Sequence, residues 1–201
     1  MDETLLSAAR AVKRRRRQRL PALFLFTDAA RLADPRGAIA RLPRPGCFGP
    51  LCGVVLRHDG APDRAALARD VARLCRARRI PLVVAGDSRL AAALGAGLHL
   101  RDGRYPSPAR PARRRGGLVT GSAHDLASLR RAARNGADLV FLSPAFATAS
   151  HPGRRALGPL RWRLLARRSE VPVLALGGIE GRLIRRLSPA CAGAGAIGAL
   201  S

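Results

Sequence analysis

Lysine is almost absent from this chain of 201 residues, although its net charge is +24. Lys13 is the only lysine, so arginine supplies nearly all of the positive charge. A field of this sign attracts polyanions: nucleic acid, anionic membrane surfaces or phosphorylated metabolites. The alternative is a compositional bias of the genome toward Arg, Ala, Gly and Pro, and we favour that interpretation of the overall charge.

Aromatic residues and long apolar runs are also scarce. Five Phe, one Trp and one Tyr are too few for the stacking platform of a single-strand nucleic-acid binder, so nucleic acid is not an expected partner. No apolar run approaches 18 residues and no signal peptide is evident. We therefore expect a soluble cytoplasmic protein without a membrane partner.

The cysteine pattern excludes two common frameworks. Cys47, Cys52, Cys75 and Cys191 follow neither a CxxC zinc spacing nor a dense disulfide arrangement. We expect reduced thiols, which is typical of the cytoplasm. Cys75 falls on the apolar face of a predicted helix and Cys191 near a predicted strand, so both should be buried packing residues.

Short apolar segments alternate with amphipathic ones along most of the chain. The predicted strands cover 23–28, 53–57, 81–85, 97–100, 117–122, 137–144, 171–179 and 195–199. The predicted helices cover 36–42, 63–79, 88–94 (with Ser88 as a cap), 125–134, 159–168 and 181–187. Strands that are apolar throughout are typical of parallel sheets buried on both faces. This order predicts a single-domain (β/α)8 barrel of the TIM type.

An open doubly wound sheet is the alternative fold. It is disfavoured because residues 27–30, after the first strand, contain no glycine for a phosphate loop. We divide the chain into a basic N-terminal extension, 1–20, and the barrel, 21–201. The extension could form an amphipathic helix or bind RNA or lipid, but the charge block at 13–17 favours a solvated segment. The polar stretch 101–115 is predicted to be a loop.

Small residues end the last two predicted strands. Gly177 and Gly178 follow one strand, and Ile197 and Gly198 follow the other. A β/α barrel commonly binds phosphate after its seventh and eighth strands, where small residues let backbone amides approach the ligand. These four residues therefore predict a phosphate-binding site.

Motifs in a shared order carry a family resemblance over about 23–201. They are the strand ends at Asp28 and Arg57, Asp87, His99 in the fourth strand, 122–124, 137–148, 175–179 and 196–200. In this order and spacing, the chain resembles the thiamine phosphate synthase/TenI family. Such proteins either join hydroxymethylpyrimidine diphosphate to thiazole phosphate with release of pyrophosphate, or tautomerise the thiazole phosphate.

The resemblance implies a role for each matching residue. Phosphorylated small molecules would be the substrates and Mg²⁺ the cofactor. Candidate diphosphate contacts are Arg57, Ser122 and His151, and His124 is a candidate for proton transfer. Thr148 and Ser150 match the thiazole-side hydroxyls. Asp87 matches a magnesium ligand, whereas Asp102 could become a second ligand only through a rearranged loop. The implied binding residues for the thiazole phosphate are Gly177, Gly178, Ile197 and Gly198.

The chain also departs from the family pattern. Asp59 stands where the resemblance implies a lysine, Gly86 where it implies an asparagine and Arg104 where it implies a second metal carboxylate. His151 stands in place of another lysine, so we expect coupling to weaken as pH rises through the pKa of His151. These losses remove charge from a site that must stabilise pyrophosphate.

Three functional classes follow from these observations. The first is a thiamine phosphate synthase, and the second is a TenI-like tautomerase or a thiazole phosphate binder without coupling activity. The third and least favoured is a barrel whose basic surface binds a polyanion. The oligomeric state is open, with a homo-oligomer as one option. We expect Gly178→Val to abolish thiazole phosphate binding while leaving the fold intact.

Overall fold

The strands close into a barrel, as the alternation of segments predicted. The computed structural model describes residues 2–106, 117–148 and 155–200. Within these ranges, eight parallel strands pair in chain order, and the first closes against the last. They are β1 (Leu23–Phe26), β2 (Cys52–Leu56), β3 (Leu82–Ala85), β4 (Gly97–Leu100), β5 (Val119–Ala123), β6 (Leu139–Leu142), β7 (Val173–Leu176) and β8 (Ala194–Ala196). The (β/α)8 barrel is confirmed, and the open sheet is excluded.

Helices surround this barrel. They are α1 (Glu3–Arg16), α2 (Arg36–Arg41), α3 (Arg64–Ala77), α4 (Ser88–Leu94), α5 (Leu126–Arg134), α6 (Gly158–Ala166) and α7 (Gly181–Ile184), with 3₁₀ turns at Arg185–Leu187 and Gly198–Leu200. The cap expected at Ser88 is wrong by one residue. Asp87 caps α4, because its carboxylate accepts the Leu90 N–H at 2.9 Å while Ser88 is already helical.

Side chains alternate along β1 between the barrel interior and the helix layer. Phe24 and Phe26 point inward and pack edge-on against Phe141, whereas Leu23 and Leu25 join the outer apolar core. Two strand glycines make room for these rings: a Cβ on Gly53 or Gly195 would lie 2.5 Å from a ring carbon of Phe24 or Phe26, respectively. Three phenylalanine rings therefore fill the barrel interior together with aliphatic side chains such as Val55, Val83 and Leu174.

The solvated N-terminal extension is a wrong expectation. Residues Glu3–Arg16 form α1, which packs against α7 and buries Leu5, Leu6 and Ala9. Asp2 caps the helix, and the Gly181 N–H also donates to its carboxylate at 3.2 Å. Lys13 is 5% exposed and donates to the Pro50 carbonyl at 2.8 Å. The apolar face of this segment outweighs its charge block, because the arginines extend from the other face into solvent.

Other sequence expectations have mixed outcomes. All four thiols are free, and Cys75 and Cys191 are buried as predicted. Burial raises the pKa of the Cys75 thiol to about 12 and that of Cys191 to about 11. Of the predicted loop 101–115, residues 107–115 lie outside the described residues. In the part of the chain that the structure describes, no helix has both the length and the apolarity needed to cross a membrane.

Candidate active site

A pocket of about 450 Å³ opens at the carboxyl end of the barrel. Residues from the ends of β1, β2, β5, β6, β7 and β8 line it. Seven predicted site residues lie in its wall: Arg57, His124, Thr148, Gly177, Gly178, Ile197 and Gly198. The pocket therefore unites the predicted phosphate-binding turns with one predicted cation and one candidate proton-transfer group.

The remaining predicted site residues lie elsewhere. Ser122 accepts the Asp102 N–H at 3.0 Å and is not among the residues that line the pocket. Ser150 and His151 lie outside the described residues, so their assignments stay predictions. Ten lining residues were not predicted as site residues, and Phe26, Arg31, Ser143 and Glu180 are among them. Phe26 ends β1, Ser143 directly follows β6, and Arg31 and Glu180 lie within five residues of a strand end. This position at the carboxyl end of a strand is the feature of the sequence that could have identified them.

The two turns predicted to bind phosphate differ in how tightly the protein surrounds them. Gly177 and Gly178 have φ of +89° and +63°, a conformation that favours glycine. A Cβ on Gly178 would overlap the Ala147 carbonyl oxygen. Around an added Cβ on Gly198, by contrast, no heavy atom lies within 4 Å. Gly178 is thus required by the adjacent β6–α6 loop itself, whereas Gly198 leaves open space on the pocket side.

A buried hydrogen-bond network fixes the backbone at Arg57. The Arg57 N–H donates to Thr27 Oγ1 at 3.1 Å, and His58 Nδ1 lies 2.8 Å from the same hydroxyl. His58 Nε2 lies 3.1 Å from the Ala33 carbonyl, which only accepts, so the neutral ring carries its proton on Nε2. Thr27 therefore donates to His58 Nδ1 while it accepts from Arg57. His58 is 2% exposed, so it supports the Arg57 backbone from inside the protein.

Ser143 holds the imidazole of His124 through its Nδ1 atom. Its Nδ1 lies 2.8 Å from the Ser143 carbonyl oxygen, so Nδ1 carries the proton of the neutral ring. Nε2 then holds a lone pair, and the residue lines the pocket. A neutral His124 can accept a proton from a bound ligand at Nε2.

His99 belongs to the barrel interior, as expected for a histidine within an apolar strand. Its Nδ1 lies 2.8 Å from Thr120 Oγ1, and its ring packs edge-on against Phe26. Burial, together with the charges of Arg57 and Arg101, lowers the pKa of His99 to about 3. The residue is therefore neutral throughout the physiological pH range.

This neutrality predicts an acid-sensitive fold. His99 in the unfolded chain has a pKa near 6.5, so the unfolded state binds more protons than the folded state between about pH 3 and 6.5. The free energy of unfolding should then fall as pH drops below 6.5, by up to about 1.4 kcal/mol per pH unit from this residue. Urea unfolding of wild type and His99→Gln from pH 4.5 to 7.5 measures the difference. Identical pH slopes would contradict the burial of a neutral imidazole.

Comparison with known proteins decides the family. A family model described as "Thiamine monophosphate synthase" matches residues 52–199, which is most of the chain. This chain belongs to that family. A relative from Aquifex aeolicus, named "Putative thiamine-phosphate synthase 2", is 34% identical over 66% of this chain and 73% of its own length. The thiamine-phosphate synthase of Geobacillus kaustophilus is 38% identical over 58% of this chain, but the match spans only 54% of that protein.

A solved structure supports the fold of this thiamine monophosphate synthase family member. A thiamine phosphate pyrophosphorylase from Pyrococcus furiosus superposes with a TM-score of 0.66. The superposition covers 90% of this chain and 87% of that chain, at 22% sequence identity. At this identity the likeness concerns the barrel alone.

The two carboxylates suggested as magnesium ligands are already engaged. Asp87 Oδ1 accepts the Leu90 N–H, and Asp87 Oδ2 lies 3.2 Å from Arg64 Nη1. Asp102 Oδ2 lies 2.8 Å from Arg131 Nη2. Among residues 2–106, 117–148 and 155–200, no group of three or more His, Cys, Asp or Glu could hold a metal ion. The residues present there do not fit the magnesium site that the family resemblance implies.

Proposed function

We propose that this chain is a thiamine phosphate synthase, which joins hydroxymethylpyrimidine diphosphate to thiazole phosphate and releases pyrophosphate. The observation that supports this best is the pocket, which is lined mainly by residues within the family match and contains both Arg57 and the turns at Gly177–Gly178 and Gly198. One anionic group can bind at the glycine turns while a second lies near the guanidinium. The names of the matched relatives favour synthesis over tautomerisation alone.

The coupling requires one bond to break and one to form. The ring nitrogen of the thiazole attacks the pyrimidine methylene carbon, and the bond from that carbon to the diphosphate oxygen breaks. The bonding electrons leave with pyrophosphate, whose negative charge grows as the methylene becomes cation-like. Cationic donors placed at the leaving group stabilise this transition state. Holding the ring nitrogen close to the methylene carbon supplies the remaining advantage.

The residues of the pocket divide these tasks in the proposal. The turns at Gly177–Gly178 and Gly198 hold the thiazole phosphate, and Thr148 contacts the thiazole side. Arg57 faces the diphosphate. Thr27 holds its backbone N–H, and its guanidinium Nη2 lies 3.5 Å from Asp28 Oδ2. Ser150 and His151 remain proposed contacts for the thiazole and the diphosphate. We route no step through Mg²⁺, because the described carboxylates do not fit it.

A direct product assay tests this function. The protein is incubated with hydroxymethylpyrimidine diphosphate and thiazole phosphate, in parallel samples with Mg²⁺ and with EDTA. Thiamine phosphate and pyrophosphate are then measured by mass spectrometry. We expect both products in a 1:1 ratio. Conversion of a thiazole phosphate tautomer without pyrophosphate release would instead identify a tautomerase.

Two further statements belong to the same proposal. The four free thiols support a location in the reducing cytoplasm, which is part of this proposal. Phosphorylated small molecules are the proposed partners, and a homo-oligomer is compatible with the exposed Leu160 and Leu164 on one face of α6.

Gly198 offers a clean test of the phosphate turn. Valine at this position adds bulk to open space beside the pocket, without a heavy atom within 4 Å of its Cβ. We therefore expect Gly198→Val to weaken thiazole phosphate binding about tenfold or more, with little change in thermal stability. Gly46→Val is the matched control, since Gly46 also has no heavy atom within 4 Å of an added Cβ and lies outside the pocket. Unchanged calorimetric affinity in Gly198→Val would place the phosphate elsewhere.

A further inference from the structure

Arg101 occupies the space beside Gly86 at the carboxyl end of the barrel. Gly86 has φ +68°, and a Cβ added there would lie 2.7 Å from Arg101 Nε and 3.0 Å from Arg101 Cζ. The position precedes Asp87, where the family resemblance implies an asparagine. The guanidinium of Arg101 therefore fills the volume that a side chain at position 86 would take.

From this place Arg101 begins a chain of alternating charges across the ends of β2, β3 and β4. Its Nη2 pairs with Asp59 Oδ1, which also lies 3.7 Å from Arg64 Nη2. Arg64 Nη1 in turn lies 3.2 Å from Asp87 Oδ2. We call Arg101, Asp59, Arg64 and Asp87 the arginine–aspartate chain.

The arginine–aspartate chain explains together several substitutions, relative to the family pattern, that look unrelated in the sequence. Asp59 in place of lysine supplies the carboxylate that holds Arg101. Gly86 in place of asparagine supplies the room for the guanidinium. Arg104, in place of the second metal carboxylate, adds another positive charge at the same loop. Each change favours a protein cation over a bound metal at this end of the barrel.

A divalent cation would have to disrupt these contacts before it could bind. Arg64 is 19% exposed at its side chain and also donates to the carbonyls of Ala85 at 2.9 Å and Arg57 at 3.2 Å. Freeing Asp87 for a metal therefore removes the nearer of two carboxylate partners from a largely buried guanidinium, which is costly. Arg101, in contrast, is 52% exposed at its side chain and has donors that can reach an anion.

We propose that the guanidinium of Arg101 takes the place of the divalent cation and binds the diphosphate of the substrate without Mg²⁺. Arginine suits this task because it is charged at all physiological pH values and its planar fork matches two phosphate oxygens. Arg57 follows β2 and Arg101 follows β4 at the same end of the barrel, and in this proposal the two guanidiniums share one diphosphate. The identity of this ligand rests on the proposed synthase function.

Inorganic pyrophosphate is the probe for the test. We expect wild-type protein to bind it in calorimetry with EDTA present, and Arg101→Met to weaken that binding at least about tenfold. Gly86→Asn should act in the same direction, because its side chain displaces the guanidinium. Arg73→Met, on the exposed face of α3, and Gly95→Asn, at φ +61° with no heavy atom within 4 Å of its Cβ, are the matched controls. Circular dichroism verifies the fold of each variant.

Three results of the binding experiment overturn the proposal. They are wild-type binding that requires Mg²⁺, wild-type protein that binds pyrophosphate in neither buffer, and Arg101→Met that binds as wild type does in EDTA. If Gly86→Asn fails to fold, the comparison of wild type with Arg101→Met is sufficient, because the Arg101 side chain is half-exposed and its replacement should not disturb the fold. Thiamine phosphate synthesis is measured separately. Synthesis that occurs only with Mg²⁺ would support the synthase function and reject the role of Arg101. Metal-free pyrophosphate binding without synthesis would support the role of Arg101 in anion binding and reject the synthase function.

Discussion

Replacing Arg57 with glutamine should lower the turnover of thiamine phosphate synthesis by about 10²–10³-fold. Removing one donor that stabilises developing charge typically has an effect of this size. Arg57 lines the pocket, the Thr27–His58 network fixes its backbone, and its guanidinium pairs with Asp28 at 3.5 Å before substrate binds. The effect should appear mainly in kcat, because the charge on pyrophosphate is greatest when it leaves.

Two further variants show whether the lost turnover is due to the charge and shape of the Arg57 side chain. Arg57→Lys should recover part of the lost turnover, because lysine keeps the charge but not the planar fork of donors. Arg41→Gln removes an exposed arginine at the end of α2 and should leave kinetics unchanged. Steady-state kinetics with both substrates give kcat and KM for each variant. A turnover of Arg57→Gln within about twofold of wild type would remove Arg57 from the transition state.

Substituting Gly178 with valine should abolish thiazole phosphate binding and also destabilise the protein by about 1–3 kcal/mol. The second effect corrects the expectation that the fold would stay intact. At φ +63° a β-branched residue is strained, and its Cβ would overlap the Ala147 carbonyl oxygen and crowd Phe146. The β6–α6 loop must then move, and this loop carries Thr148 into the pocket.

Gly95→Val separates strain from collision in this experiment. Gly95 has φ +61°, close to that of Gly178, but no heavy atom lies within 4 Å of an added Cβ. The Gly95→Val variant should lose stability through backbone strain alone and keep the wild-type affinity for thiazole phosphate. Urea unfolding and calorimetry on both variants measure the two effects. Equal stability losses in Gly95→Val and Gly178→Val would show that the loop contact is unimportant.

The amino-acid sequence by itself determined the barrel and placed the two glycine turns at its carboxyl end. Continuous apolar strands such as Val83–Ala85 and Leu139–Leu142 report their own burial, and Gly177 and Gly178 report their own backbone conformation. These properties are local, so periodicity and residue type are sufficient to read them. The same reasoning correctly predicted that His99, inside an apolar strand, belongs to the barrel interior.

Only the tertiary structure decided which charged groups are available for chemistry. Asp87 looked like a metal ligand in the sequence, but Arg64, 23 residues earlier, holds its carboxylate. Arg101 looked like a loop residue, yet it meets Asp59 from 42 residues further along the chain. The N-terminal charge block likewise concealed the apolar face that α1 buries against α7. Electrostatic and packing energies depend on distances in space, and the order of residues does not contain those distances until the barrel has closed.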